Sequence, residues 1–161
     1  ILLCLYVDIK KHSAIFVTYV TQFKEMTMTW SNKSLKELAE SQPSWVVEAE
    51  GECLTISNDE GIDAFVYVGS QQVIVEAALF PASDVKDVNA LNELILRSHH
   101  LLPLTAICIN KIAEQDYYIA FGALSVDSKD SVIIEEIETL FANTGEFLDL
   151  YSQYLAQETI A

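Results

Sequence analysis

The chain alternates between two hydrophobic periods, and the places where one gives way to the other divide it into elements. Leu35, Leu38 and Ala39 fall on one face of a short helix over residues 34–41, with Asn32 and Ser34 available as caps and Pro43 as its stop. From Trp45 to Phe80 the period becomes that of strands, rich in Val, Ile, Phe and Tyr. Turn residues at Ser57-Asn58-Asp59-Glu60-Gly61 and Gly69-Ser70 cut this stretch into three predicted strands: Trp45 to Ile56, open to interruption at Gly51, then Ile62 to Val68 and Gln72 to Phe80.

Pro81 ends the strands, and Asp84 or Asp87 can cap a helix whose stripe is Leu91, Leu94, Ile95, Ser98 and Leu102, closed by Pro103. Leu104 to Ile112 and Tyr117 to Leu124 read as a hairpin joined by Ala113-Glu114-Gln115-Asp116. The longest helical stripe comes last: Ile133, Ile137, Leu140, Phe141, Thr144, Leu148, Tyr151 and Leu155. Ser128 or Asp130 can cap it, acids at its start suit the helix dipole, and Gly145 marks a bend or a close packing point. The predicted class is α+β, with a five-stranded antiparallel sheet, helices on one face and the order α-β-β-β-α-β-β-α. A sheet covered on one side leaves a face for solvent or for a second copy of the chain.

Composition narrows the function classes. With 51% hydrophobic and 20% charged residues, five Gly and three Pro, the 161 residues suit one folded core that buries roughly 70% of the unfolded surface. A net charge of −15 repels nucleic acid and anionic lipid. Basic proteins or cations are the partners such a field attracts. Residues 1–25 stand apart: Lys10, Lys11 and Lys24 against Asp8 and Glu25 give +1, so the rest carries −16 of the total. Met26 and Met28 follow at once, and residues 1–27 are therefore expected to be a non-native or upstream-translated leader to a single domain over 28–161. The rival expectation is an amphipathic element from Ala14 to Phe23 packed on that domain. The apolar run from Ile1 to Val7 is too short for a signal-peptide core with a basic lead, and no apolar run approaches the roughly 20 residues of a membrane-spanning helix. Cys4, Cys53 and Cys108, odd in number and widely spaced, read as reduced thiols, and the expected location is the cytoplasm.

No constellation forces a chemistry. His99 and His100 are neighbours whose side chains diverge on a helix, which suits one meeting the last carbonyls and the other meeting solvent better than a shared metal. Glu48, Glu50 and Glu52 on a flat strand lack the curved loop that wraps calcium, and read as a wet, acidic face. Phe121-Gly122-Ala123-Leu124-Ser125 lacks nucleophile-elbow spacing and no histidine follows it; Ser125 reads as part of the strand-to-helix turn, and the glycine as a bulge or a close backbone approach. Neither catalytic residue nor cofactor is assigned. Trp45, Phe147, Tyr151 and Tyr154 are the aromatic residues expected to contact a partner: Trp45 as an amphipathic ring of the type enriched at interfaces, and Tyr151 and Tyr154 with Phe147 because they broaden the last helix's apolar surface beyond what one domain buries, the rival reading being ordinary core.

Two stretches carry a resemblance: Leu91-Asn92-Glu93-Leu94-Ile95-Leu96-Arg97-Ser98-His99-His100-Leu101-Leu102-Pro103-Leu104, and Tyr117-Tyr118-Ile119-Ala120-Phe121-Gly122-Ala123-Leu124-Ser125-Val126-Asp127-Ser128 followed by Glu135-Glu136-Ile137-Glu138-Thr139-Leu140-Phe141-Ala142-Asn143. Together they resemble the bacterial YjfI-like family, domain of unknown function 2170, from about Met28 to the last helix. The resemblance implies an element order similar to that of the type III secretion chaperones. It also implies a chaperone-like or adaptor protein, homodimeric and without catalytic activity, beside a phage shock protein A-like coiled-coil partner in envelope stress. The alternative is a small-ligand sensor or enzyme with a pocket between helices and sheet.

Overall fold

In the structure, a computed structural model, residues 29–156 are described; the leader assigned to 1–27, the segment Ala14 to Phe23 and Cys4 lie outside the described residues. The first helix, α1 (Asn32–Glu40), starts from Ser31 rather than from Asn32 or Ser34. Ser31 Oγ accepts from the Ser34 amide at 3.2 Å while Ser34 Oγ accepts from the Ser31 amide at 3.0 Å, a reciprocal box that satisfies two otherwise orphaned donors. Just upstream, buried Trp30 donates its indole N–H to the Ser128 carbonyl at 2.7 Å.

The expected single strand from Trp45 to Ile56 is two strands, β1 (Val46–Glu50) and β2 (Cys53–Ser57), folded on each other about Gly51 and Glu52. Gly51 has φ +63°, a conformation that costs a Cβ-bearing residue more, so the chain reverses there instead of running on. This hairpin raises the strand count from five to six. β3 (Asp63–Val68) and β4 (Gln72–Pro81) follow, and a short 3₁₀ turn (Ala82–Asp84) leads to α2 (Val88–Ser98). Of the two candidate caps for α2, Asp87 serves, its carboxylate accepting from the Ala90 amide at 3.0 Å. The helix stops at Ser98, short of Leu102, as Ser98 Oγ bonds back to the Leu94 carbonyl and the chain turns toward Pro103.

β5 (Ala106–Ile112) and β6 (Gln115–Ser125) form a tighter hairpin than the sequence predicts. Its turn is Ala113-Glu114, both at positive φ (46° and 71°), the geometry that matches strand twist and normally calls for Asn-Gly. The last helix, α3 (Asp130–Tyr151), is preceded by Lys129, whose side chain makes no capping bond, so neither Ser128 nor Asp130 is its cap. Gly145 has nothing within 4 Å of where a Cβ would stand, so close packing does not account for it.

All strand pairs are antiparallel, in the order β1-β2-β3-β4-β6-β5. α3 lies across the middle of one face and α1 packs near β1 and β2 on the same side. Between them sit Leu35, Leu54, Ile56, Val66, Val75, Tyr118, Ile137 and Leu140, all buried. On α3 the stripe runs through Phe147 rather than Leu148, which is exposed. The residues following α3 close against the start of α2: the Lys86 amide donates to the Tyr154 carbonyl and the Ala156 amide to the Asp84 carbonyl, each at 2.9 Å, around an antiparallel bridge between Val85 and Leu155.

Candidate protein-binding surface

Alternation along the central strands sorts side chains by size in an unusual sense. In β3, Ala64 and Val66 point into the core while Phe65 and Tyr67 point away from it, 39% and 38% exposed. In β6, Ala120 and Gly122 face α3 and Phe121 faces outward. The small inward residues let α3 approach the sheet closely, and the rings are left on the side that no helix among the described residues covers.

Strand register builds that open face. One row crosses it as Glu48, Thr55, Phe65, Glu76, Phe121 and Ala106, and Glu76 is therefore flanked on neighbouring strands by two phenylalanines. The adjacent row is Glu50, Cys53, Tyr67, Ile74 and Ala123. On the other side of Glu76 lie Ala78, Ile119 and Cys108. Burial beside the rings raises the Glu76 carboxyl above the usual range. Burial first, then the charge of Glu76, raises the Tyr67 hydroxyl and the Cys108 thiol. Cys53 is raised chiefly by burial, against a lowering hydrogen bond from the Val66 backbone, with Glu76 and Glu50 adding to the rise. These thiols stay protonated at neutral pH, which makes them poor nucleophiles.

A second apolar region borders the free edge of β5. Asn92, Ile95, Leu96, Ile107, Ile109 and Tyr118 line an open cleft of about 270 Å³. Tyr118 donates to Asn92 Oδ1 at 2.8 Å. Leu96 is 77% exposed beside it, with Ile109, Leu101 and Leu104 also exposed. His99 does not meet the last carbonyls of α2: its Nε2 accepts from the Ile107 amide at 3.1 Å, tying the helix end to β5, and His100 is exposed.

The four aromatic residues singled out in the sequence do not share one surface. Phe147 and Tyr151 are buried and stacked on each other, centroids 5.7 Å apart, and Tyr151 also meets Phe80 edge-on. Trp45 is half-buried with its ring edge toward Phe141, and Tyr154 is half-buried against the core. The surface rings that sequence reasoning passed over are Phe65, Tyr67 and Phe121. Their signal was the parity of Asp63-Ala64-Phe65-Val66-Tyr67-Val68, in which the smaller residues share one side.

Of the acidic trio, Glu48 and Glu50 lie on the open face of edge strand β1, and Glu52 lies in the turn. Among the described residues no three His, Cys, Asp or Glu side chains are grouped to hold a metal ion. Ser125 Oγ accepts from the Asp127 amide within the turn into α3, and Gly122 is a point of close approach: a Cβ there would overlap the buried Glu136 side chain. Burial, then the charge of Glu135, raises the Glu136 carboxyl.

The bacterial family described as "Uncharacterized protein conserved in bacteria (DUF2170)" matches residues 22–155. The chain belongs to this family. It is 28% identical over 131 residues to the uncharacterized protein YjfI of Escherichia coli strain K12, and equally to that of strain O157:H7, covering 79% of this chain and 98% of each relative. Among solved structures it is similar to a chain of the HopA1-SchA chaperone-effector complex (TM-score 0.53, 13% identity, 71% of this chain and 90% of that one). It is also similar to a chain of the ExsC-ExsE complex (TM-score 0.54, 12% identity, 78% and 94%). At these identities the likeness is one of fold. No helix among the described residues is long and apolar enough to cross a membrane.

Proposed function

We propose that this protein is a non-catalytic, chaperone-like adaptor that holds a segment of a partner protein on the open face of its sheet. The observation that carries this reading is the pair Phe65 and Tyr67, which the strand alternation turns away from the core when smaller residues occupy it. Rings held on a rigid sheet are low-entropy anchors for a protein partner. The chain's likeness in fold to a chain of a chaperone–effector complex supports the same reading. The Leu96 side chain and the β5 edge suit a second copy of the chain, with each Leu96 seated in the other's cleft and the two edges paired, which makes the working unit a homodimer. Trp45 and Tyr154 keep enough exposed area to border such contacts, whereas Phe147 and Tyr151 support them from inside. The partner implied by the family resemblance is a phage shock protein A-like coiled coil in the bacterial cytoplasm, acting in envelope stress.

Co-purification with that coiled-coil protein, at low and at high salt, tests the reading. The wild-type chain is expected to retain it and the Phe65→Ser/Tyr67→Ser variant to release it, while light scattering shows Leu96→Glu shifting the dimer toward the monomer. No association at any ionic strength would remove the proposed partner.

A further inference from the structure

By register the open face carries four carboxylates, Glu48, Glu50, Asp63 and Glu76, and among the described residues no Lys, Arg or His; Lys111, of the opposite parity, borders the cleft beside Phe65, Glu76 and Ile119. The positive side chains of the described residues lie elsewhere: Lys33 and Lys36 pair with Glu37 and Glu40 on α1, and Arg97 pairs with Glu93 on α2. Lys111, on the opposite parity of β5, pairs with Asp116 at 3.9 Å. Of the four acids, Asp63 accepts from Ser57 Oγ at 2.6 Å, and Glu48 and Glu50 stand on the edge strand in water. Glu76 alone sits in the middle of the sheet, half-buried between Phe65 and Phe121, and it makes no hydrogen bond or salt bridge among the described residues.

We infer that this face selects its partner by charge, taking an apolar segment that carries an arginine or lysine, with the cation laid over the Phe65 and Phe121 rings and its charged end on Glu76. The inference rests on the proposed partner-binding role and names the chemistry of what is bound. A wholly apolar segment laid across these rings would strip water from the Glu76 carboxylate without replacing it, and an acidic segment would add repulsion. A cation meets both needs at once, because ring faces attract it and a carboxylate gives it a charge-assisted hydrogen bond. The same residues that make the surface sticky therefore make it selective.

The test uses the full chain, labelled with ¹⁵N, and three synthetic Val/Leu-rich peptides that differ at one central position, Arg, Gln or Glu. The Arg peptide is expected to shift the amides of β3, β4 and β6 and to bind about tenfold more tightly than the Gln peptide, with the Glu peptide weakest. Glu76→Gln is expected to bring the Arg and Gln peptides level. Phe65→Ser is expected to weaken both, with thermal unfolding showing each variant folded. Equal binding of the Arg and Gln peptides at this face overturns the charge selection and leaves the partner-binding role standing; failure of the coiled-coil co-purification with charge selection intact removes that coiled-coil partner and leaves the charge selection standing. A change in molecular mass on Phe65→Ser assigns the face to a second copy and overturns the inference. So does peptide binding that appears only after Lys10→Glu and Lys11→Glu, which assigns the face to the chain's own first residues.

Discussion

Phe121 and Gly122 are neighbours in sequence and occupy opposite faces of one sheet, and each serves a glutamate. On the open face Phe121 stands beside Glu76, half-buried among rings. On the covered face Gly122 makes room for Glu136, buried between α3 and β6. Both carboxyls are raised by burial, yet their positions differ. Glu136 is enclosed by the protein itself, while Glu76 can still be reached from outside, where the proposed partner would meet it. Two acids of the same type thus stand in opposite settings across the thickness of one strand.

Substitutions that treat the two faces differently sharpen this contrast, and the largest effect belongs to the covered side. Val66→Asp puts an unpaired charge among fully buried neighbours and is expected to cost about 4 kcal/mol or more in urea unfolding. Gly122→Ala forces its new methyl group against the Glu136 carboxyl and is expected to cost about 2 kcal/mol. Adding Glu136→Ala should recover much of that loss, and strict additivity of the two changes would refute the clash as its cause. Glu136→Gln keeps the shape without the charge and is expected to stabilise at neutral pH by about 1 kcal/mol.

The pH dependence has a defined sign. Because folding raises both carboxyls, the folded chain binds protons more tightly than the unfolded chain, so stability falls as pH rises from the ordinary carboxylate range, near 4.3, through the raised folded values. Glu136→Gln should flatten that slope more than Glu76→Gln does, and a stability that rises with pH over this window would contradict the burial argument. Last comes Phe65→Ser, expected to cost only about 1 kcal/mol by urea unfolding because the ring is 39% exposed, although the same change should release the partner. A large stability loss there would mean that Phe65 belongs to the core after all.

Much of this arrangement was legible in the sequence because hydrophobic period is a local property. α1, α2 and α3 begin close to where their stripes predict, although α2 ends at Ser98 and α3 at Tyr151, short of Leu102 and Leu155, and β3 and β4 begin and end close to the expected residues. What escaped was decided by single residues or by distant partners. The two-residue reversals at Gly51-Glu52 and Ala113-Glu114 left too few turn residues to be read with their true length, which merged β1 with β2 and started β6 late. Phe147 and Tyr151 resemble surplus apolar area when α3 is viewed alone, and only the presence of Phe80 from β4 shows them to be enclosed. Conversely, Phe65 looks like a core residue by type. Its exposure follows from Ala64 and Val66 having taken the inward parity.

The bridge between Val85 and Leu155 has a consequence for the order of assembly. It joins segments far apart along the chain, so it is expected to close after the sheet and α3 have docked and their contacts have offset the loop-closure entropy. The tail then works as a latch: the stretch ahead of α2 and the end of α3 should open together as one unit in native-state hydrogen exchange, and a protease that nicks the tail should find it accessible in nascent chains and shut in finished ones.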